Sequence, residues 1–177
     1  MLNKVYEAIF LTLKNAQQLF SDGELLHNSG SIRAYIFYHF SFEESGLLFI
    51  LMRIMFDDLL GTSDYSEDGL SYKYLKEKGY EHHLKKLDES VLKLVAMDVY
   101  KSVLNYDDES TGKLEKRYNE LKSSVSRFNK QKNQAIYITF NGNKFLMPEE
   151  VINSQRISEM KELALDNCQM QKNMLTS

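Results

Sequence analysis

The sequence predicts an all-α fold, a bundle of about five main helices with one small β-hairpin set before the last. Three observations lead to it. The 177 residues include one proline and eight glycines, so breakers are scarce and long segments can run uninterrupted. Apolar residues recur at spacings of three and four through most of the chain, the period of a helix with one buried face. A single stretch, "AIYITFNGNKFLM", sets a β-rich run, an Asn-Gly pair and a second short apolar run in order, which signals a hairpin.

Val5, Ile9, Leu13, Ala16 and Phe20 mark the first helix, from about residue 3 to residue 28, with Gly23 as a point of bending. "NSGS" supplies a turn and an N-cap, and the second helix runs from about Ser31 to Leu60. It is apolar nearly all round, as expected of the central helix of a bundle. "GTSDYSEDGLS" at 61–71 reads as a loop, followed by a short helix over "YKYLKEK". Tyr80, Leu84, Leu87, Val91, Leu94, Val99 and Val103 form the buried stripe of a third long helix, which ends at the acidic loop "NYDDESTG". Leu114, Tyr118, Leu121, Val125 and Phe128 alternate spacings of four and three, the pattern of a fourth helix packed along a near-antiparallel neighbour. The hairpin is expected at 135–147, and Pro148 with Glu149 and Glu150 opens a last helix reaching about Met174.

The length suits one domain over 1–177, and 43% hydrophobic with 27% charged residues is too apolar for disorder. A net charge of −3 argues against a broadly basic nucleic-acid binder but leaves room for a local basic patch. One cysteine, Cys168, and four histidines give little basis for a disulfide or a structural zinc site, and no metal or cofactor is expected. The first helix lacks the continuous apolar block of a signal peptide, and no segment reaches membrane-spanning length free of charge. The expected location is the cytoplasm, with no membrane partner.

"FSFEESGLLFILM" at 40–52 places Glu43 and Glu44 in one of the most apolar stretches of the chain. Neighbours on a helix point about 100° apart, so only one of the two faces the deepest core. Glu43 shares a face with His39, and Glu44 lies nearly in line with Arg33. Two readings are open: Glu43 and His39 as metal ligands, or one glutamate buried against a neighbouring helix, with His83 and Lys86 as its natural donors. A carboxylate-bridged di-iron site fits poorly, because it needs Glu-x-x-His on two helices and the sequence lacks such a pair. His82, His83, Lys85 and Lys86 form a compact basic cluster, suited either to phosphate, RNA or a partner or to a solvated helix start. Arg127, Lys130 and Lys132 form a second basic run, where cations also favour the helix dipole. The hairpin cannot be stable alone and makes a plausible partner-binding edge.

Several segments together resemble the AbiV family of bacterial abortive-infection proteins, within the HEPN superfamily of helical RNA-targeting domains. "NAQQLFSDGELLHNSGSIRAYIFYHFSFEESG" resembles the family's opening helix pair ending in Glu-Glu-x-Gly-Lys. "YEHHLKKL" is similar to a His-x-x-Lys segment, and "KNQAIYITFNGNKFLMPEEV" to a Tyr-containing strand, turn and proline. Two positions depart: Leu47 stands where the family has lysine, and Thr139 near the place of an aspartate.

The resemblance implies a HEPN-like bundle, a homodimer with its site between protomers, and a role in antiphage defence. It implies activation by a phage-encoded protein, after which translation or RNA function stops. Nuclease members of the wider group carry Arg-Asn followed by His. The nearest segment here reads Lys132, Asn133 and then Tyr137, so the implied catalytic set is Lys132, Asn133, Tyr137, Glu43 and Glu44. Metal-free RNA cleavage needs a base for the 2′-hydroxyl and a cation for the phosphorane, and Tyr, with an ordinary pKa of about 10, is a poor base at neutral pH. Arg33 and His39 also fit the loose spacing of HEPN motifs, but on one straight helix they lie about 120° apart. With His83, Lys86 and Arg127 they make up the expected RNA- or partner-binding set. Three functions stand side by side: a ribonuclease acting on the translation machinery, a non-catalytic effector that binds and blocks, and a helical interaction module without a defence role.

Overall fold

The computed structural model describes residues 2–63, 71–104 and 110–176. Its helices are α1 (Leu2–Asn28), α2 (Ala34–Leu59), α3 (Tyr72–Lys78), α4 (His83–Leu104), α5 (Ser110–Ile136), α6 (Pro148–Val151) and α7 (Ser154–Thr176). Strands β1 (Thr139–Phe140) and β2 (Phe145–Leu146) form one antiparallel pair between α5 and α6. The architecture is an all-α, HEPN-like bundle. Most of the predicted loop at 61–71, and residues 105–109 of the predicted acidic loop, lie outside the described residues.

The all-round apolar character of α2 places it at the centre, touching α1, α4, α5 and α7. Tyr35, Tyr38 and Phe42 of α2 pack with Leu87, Val91 and Leu94 of α4, Val125 and Phe128 of α5, and Met160 and Ala164 of α7. A smaller cluster joins Val5 of α1, Ile50 and Ile54 of α2, and Tyr74 of α3. α1 runs through Gly23 without interruption. The glycine serves packing there, since a Cβ would sit 2.7 Å from the Tyr38 ring. The Tyr38 hydroxyl donates to Glu24, which also pairs with Lys161 at 2.9 Å, tying α1, α2 and α7 together.

Three elements differ from the sequence reading. The third long helix starts at His83, leaving Tyr80 before it, and Leu84 and Val99 of its expected buried stripe are exposed, because the stripe that packs on α2 runs through Leu87, Val91 and Leu94. The hairpin is confined to two-residue strands pairing Thr139 with Leu146 and Phe140 with Phe145, because buried Ala135 keeps the preceding segment in α5 and Pro148 starts α6 at once. The last helix is broken: Ile152 is extended and buried, and Asn153 accepts the Arg156 amide on its side chain at 3.0 Å, capping a fresh helix.

α2 and α4 meet at Gly46. A Cβ there would lie 1.7 Å from the Lys86 carbonyl oxygen and 2.7 Å from Ser90 Oγ, which itself donates to the Phe42 carbonyl. No side chain can give way at backbone, so Gly46→Ala has to push the helices apart. It is expected to cost about 1–3 kcal/mol or more, read as a melting temperature lower by several degrees. Gly112→Ala, where a Cβ meets nothing within 4 Å, is the control and should be neutral or stabilising.

Lys93 of α4 is 1% exposed, and among the described residues its Nζ has no hydrogen-bond partner. Burial pushes its pKa down to about 8, with the Cys168 thiol acting weakly the other way. Between that value and the ordinary 10.5 the unfolded chain binds more protons than the folded one, so stability rises with pH across this window. Below about pH 8 the penalty is constant. Lys93→Met is expected to stabilise at pH 7 by a few kcal/mol, and the advantage should shrink in denaturant titrations as pH rises toward about 10.5. An advantage equal at pH 7 and pH 10 would rule out a buried titrating ammonium.

Candidate functional site

The close approach at Gly46 decides where the charges of "FEES" go. Glu43 lies one turn before Gly46 on the face of α2 that meets α4, and its residue is 3% exposed. α4 starts just after Gly79, whose left-handed backbone at φ 106° ends α3. The His82 ring then accepts the Lys85 amide on Nδ1 at 3.1 Å, capping the first turn. With His82 so occupied, His83 and Lys86 are the α4 side chains that reach α2 next to Glu43.

Glu43 is the centre of the site. One carboxylate oxygen accepts from His83 Nδ1 and lies 3.9 Å from Lys86 Nζ. The other lies 3.9 Å from Lys132 Nζ of α5 and 3.8 Å from His39 Nδ1, one turn earlier on α2. Glu44 turns toward α1, accepting from Asn15 at 3.1 Å and lying 3.8 Å from Lys86 Nζ. The Lys132 ammonium also sits 5.8 Å from the centre of the Phe40 ring, and Lys86 the same distance from that of Tyr80.

His39 is fully enclosed. Burial first, then the charges of Lys132 and His83, push its pKa down to about 3, so it is neutral at physiological pH. Its contact with Glu43 is therefore between a carboxylate and a neutral imidazole rather than an ion pair. Neither ring nitrogen of His39 has a hydrogen-bond partner among the described residues, and the same holds for Glu43 Oε2.

The hub opens to solvent on one side. An open cleft of about 490 Å³ is lined by Leu11, Thr12 and Asn15 of α1, Glu44 and Leu47 of α2, Tyr80 and Glu81 before α4, and His83 and Lys86. The His83 side chain is 57% exposed against 4% for that of Glu43, so the imidazole spans the boundary between hub and cleft.

Six residues singled out from the sequence thus meet: Glu43, Glu44, His39, His83, Lys86 and Lys132. Four do not join them. Asn133 and Tyr137 are exposed at the end of α5 while Lys132 turns inward, so the Lys-Asn…Tyr segment does not converge on one point within the chain. Arg33 is exposed just before α2 and is not on the same face as enclosed His39. Arg127 is exposed, lies 5.3 Å from the Phe128 ring centre, and lines a different cleft between α5 and α7 with Glu120, Glu159 and Asp166. Sequence reasoning missed Asn15, Tyr80 and Glu81, which reach the cleft through tertiary packing alone. It also missed Gln131, whose amide oxygen accepts from the Tyr35 hydroxyl at 3.0 Å beside Lys132. No group of three His, Cys, Asp or Glu side chains among the described residues is placed to hold a metal ion.

An all-α bundle with a short hairpin before its last helices fits a HEPN-like fold. A family model described as AbiV, of HEPN type, matches residues 4–168, and the chain belongs to the AbiV family. Membership implies a part in abortive-infection defence. No curated protein and no solved structure matches the chain. No helix among the described residues is long and apolar enough to cross a membrane.

The hub is one electrostatic unit, and its parts should be coupled. Glu43→Gln and Lys132→Met are each expected to destabilise, because each leaves buried charge without its partner. The double variant should lose less than the sum of the two, by about 0.5–3 kcal/mol in a double-mutant cycle. Strict additivity would mean that the two groups do not interact.

Proposed function

We propose that this chain is an abortive-infection effector that a phage-encoded protein activates, and that it then stops translation by acting on RNA at the cleft over Glu43. The observation that carries this reading is the placing of Lys86 and His83. A buried carboxylate on a rigid central helix holds both at the wall of an open cleft, where a phosphate can reach them. Lys132 behind them adds positive charge to the same locus. A homodimer fits as well. Ile136, Tyr137, Ile138, Phe140, Phe145 and Met147 are all more than 40% exposed at one end of the bundle, an apolar surface that a second copy would cover.

A second reading, a non-catalytic effector that blocks by binding, is favoured by the scattering of the nuclease-like segment. Lys132 is engaged with Glu43, while Asn133 and Tyr137 face outward. A dimer partner would have to return those two groups to a common site.

The test is co-expression with candidate phage proteins in the cytoplasm, measuring translation rate and the integrity of ribosomal, transfer and messenger RNA. Arrest is expected with the wild-type chain. It should be lost in Lys86→Gln and in Leu11→Glu, which adds a negative charge to the exposed cleft wall without disturbing the hub. Arrest undiminished in both variants would remove the cleft as the site. Discrete cuts that vanish in Asn133→Ala would assign the chemistry to the end of α5, and arrest with intact RNA would support the blocking effector.

A further inference from the structure

We propose that His83, oriented by Glu43, is the proton-accepting catalytic residue of an RNA-cleaving site at the start of α4, separate from the Lys132, Asn133 and Tyr137 segment of α5. The inference rests on the RNA reading above and adds to it the reacting group and its chemistry.

A histidine acting as general base needs a settled tautomer, a nitrogen open to substrate, and a nearby cation for the charge that develops on phosphorus. The structure provides all three at His83. A carboxylate can only accept, so its contact with the ring places a proton on Nδ1, and in the neutral ring that tautomer carries its lone pair on Nε2. With 57% of its side chain exposed, the ring presents its far edge to the cleft while Glu43 stays behind it in the core. Lys86, one turn further along α4, lies 3.9 Å from the same carboxylate oxygen and lines the same cleft.

The other three histidines each fail one requirement. His39 is wholly enclosed and cannot touch a polynucleotide. The His82 ring accepts the Lys85 amide as a helix cap. His27 contacts the Tyr38 hydroxyl at 3.3 Å, on the side of α2 that faces α1, and among the described residues its ring bonds this hydroxyl, which donates to Glu24, rather than a carboxylate. His83 alone among the four combines an orienting carboxylate, exposure and an adjacent lysine.

The step balances without a co-reactant. His83 Nε2 takes the proton of a ribose 2′-hydroxyl, the 2′-oxygen bonds to the adjacent phosphorus, and the bond from phosphorus to the 5′-oxygen breaks. The 5′-oxygen takes a proton from solvent, and the imidazolium returns its own to solvent. The products are a 2′,3′-cyclic phosphate and a 5′-hydroxyl, with nothing oxidised or reduced. Lys86 offsets the charge of the phosphorane, and Glu43 acts as a positioning residue that never meets the substrate.

RNA is taken from cells in which the full-length chain and its phage activator have stopped translation, and its 2′,3′-cyclic phosphate ends are mapped. New ends are expected with the wild type and should fall by about 100-fold or more in His83→Ala and in His83→Asn; the alanine variant takes a donor from buried Glu43 and should melt lower, while asparagine keeps an N–H for that carboxylate and serves as the folded comparison. In extracts of the His83→Ala cells, added imidazole should restore part of the cleavage, a rescue that a purely structural histidine would not show. Ends absent from arrested wild-type cells, or persisting in either His83 variant, would overturn the proposal. Arrest with intact RNA that Leu11→Glu abolishes would overturn cleavage and leave the cleft as an RNA-binding site. Arrest unchanged in both Leu11→Glu and His83→Ala would overturn both readings.

Discussion

The contact between α2 and α4 at Gly46 is the constraint on which the rest depends. A helix pair with a side chain at this crossing would stand further apart, and the separation would be felt at once by Glu43, one turn away. A carboxylate this deep is tolerable only when donors reach it, and those donors come from the first turn of α4. The same approach brings Ser90 onto the Phe42 carbonyl, pinning the two helices in register. The smallest residue in the sequence thus underwrites its most expensive charge.

Around that carboxylate the charges are uneven. Glu43 and Glu44 face Lys86 and Lys132, with His83 at the solvent boundary and His39 held neutral by its enclosure. Glu43 therefore organises more donors than it can satisfy with good hydrogen bonds: apart from His83, the nitrogens stand 3.8–3.9 Å away. Cations held near one anion, rather than clamped to it, keep part of their field for whatever enters the cleft. A modest shift of α4 or α5 would redistribute that field.

Most of the bundle was legible in the sequence, because the apolar period of each long helix is set by local spacing. The all-round apolar run of residues 34–59 marked the central helix, and His83 and Lys86 stood out as the natural donors to a buried glutamate. What was hidden depends on contacts distant in sequence. Lys132 read as the end of a basic run at a helix terminus and, by resemblance, as a member of the catalytic set, and only the docking of α5 turns it inward to Glu43. The break at Ile152 was masked by a continuous helical pattern on both sides of it. Lys93 had a signal that went unread: Lys86, Ser90 and Lys93 follow helical spacing on one face, and all three are buried. A polar stripe at that period marks a face turned inward, where Lys86 meets the glutamates of α2, Ser90 the Phe42 carbonyl, and Lys93 the neighbourhood of Cys168 on α7.

Because Glu43 lies early in the chain, the hub also has a history. During synthesis α1 and α2 leave the ribosome first, and their central glutamate then has none of its three nitrogen partners from α4 and α5. His83 and Lys86 arrive some forty residues later, and Lys132 almost ninety residues after Glu43. The nascent helix pair cannot close its polar centre from its own residues, so the hub is complete only when α5 has been made and docked. The order of translation itself withholds the complete hub from partial copies.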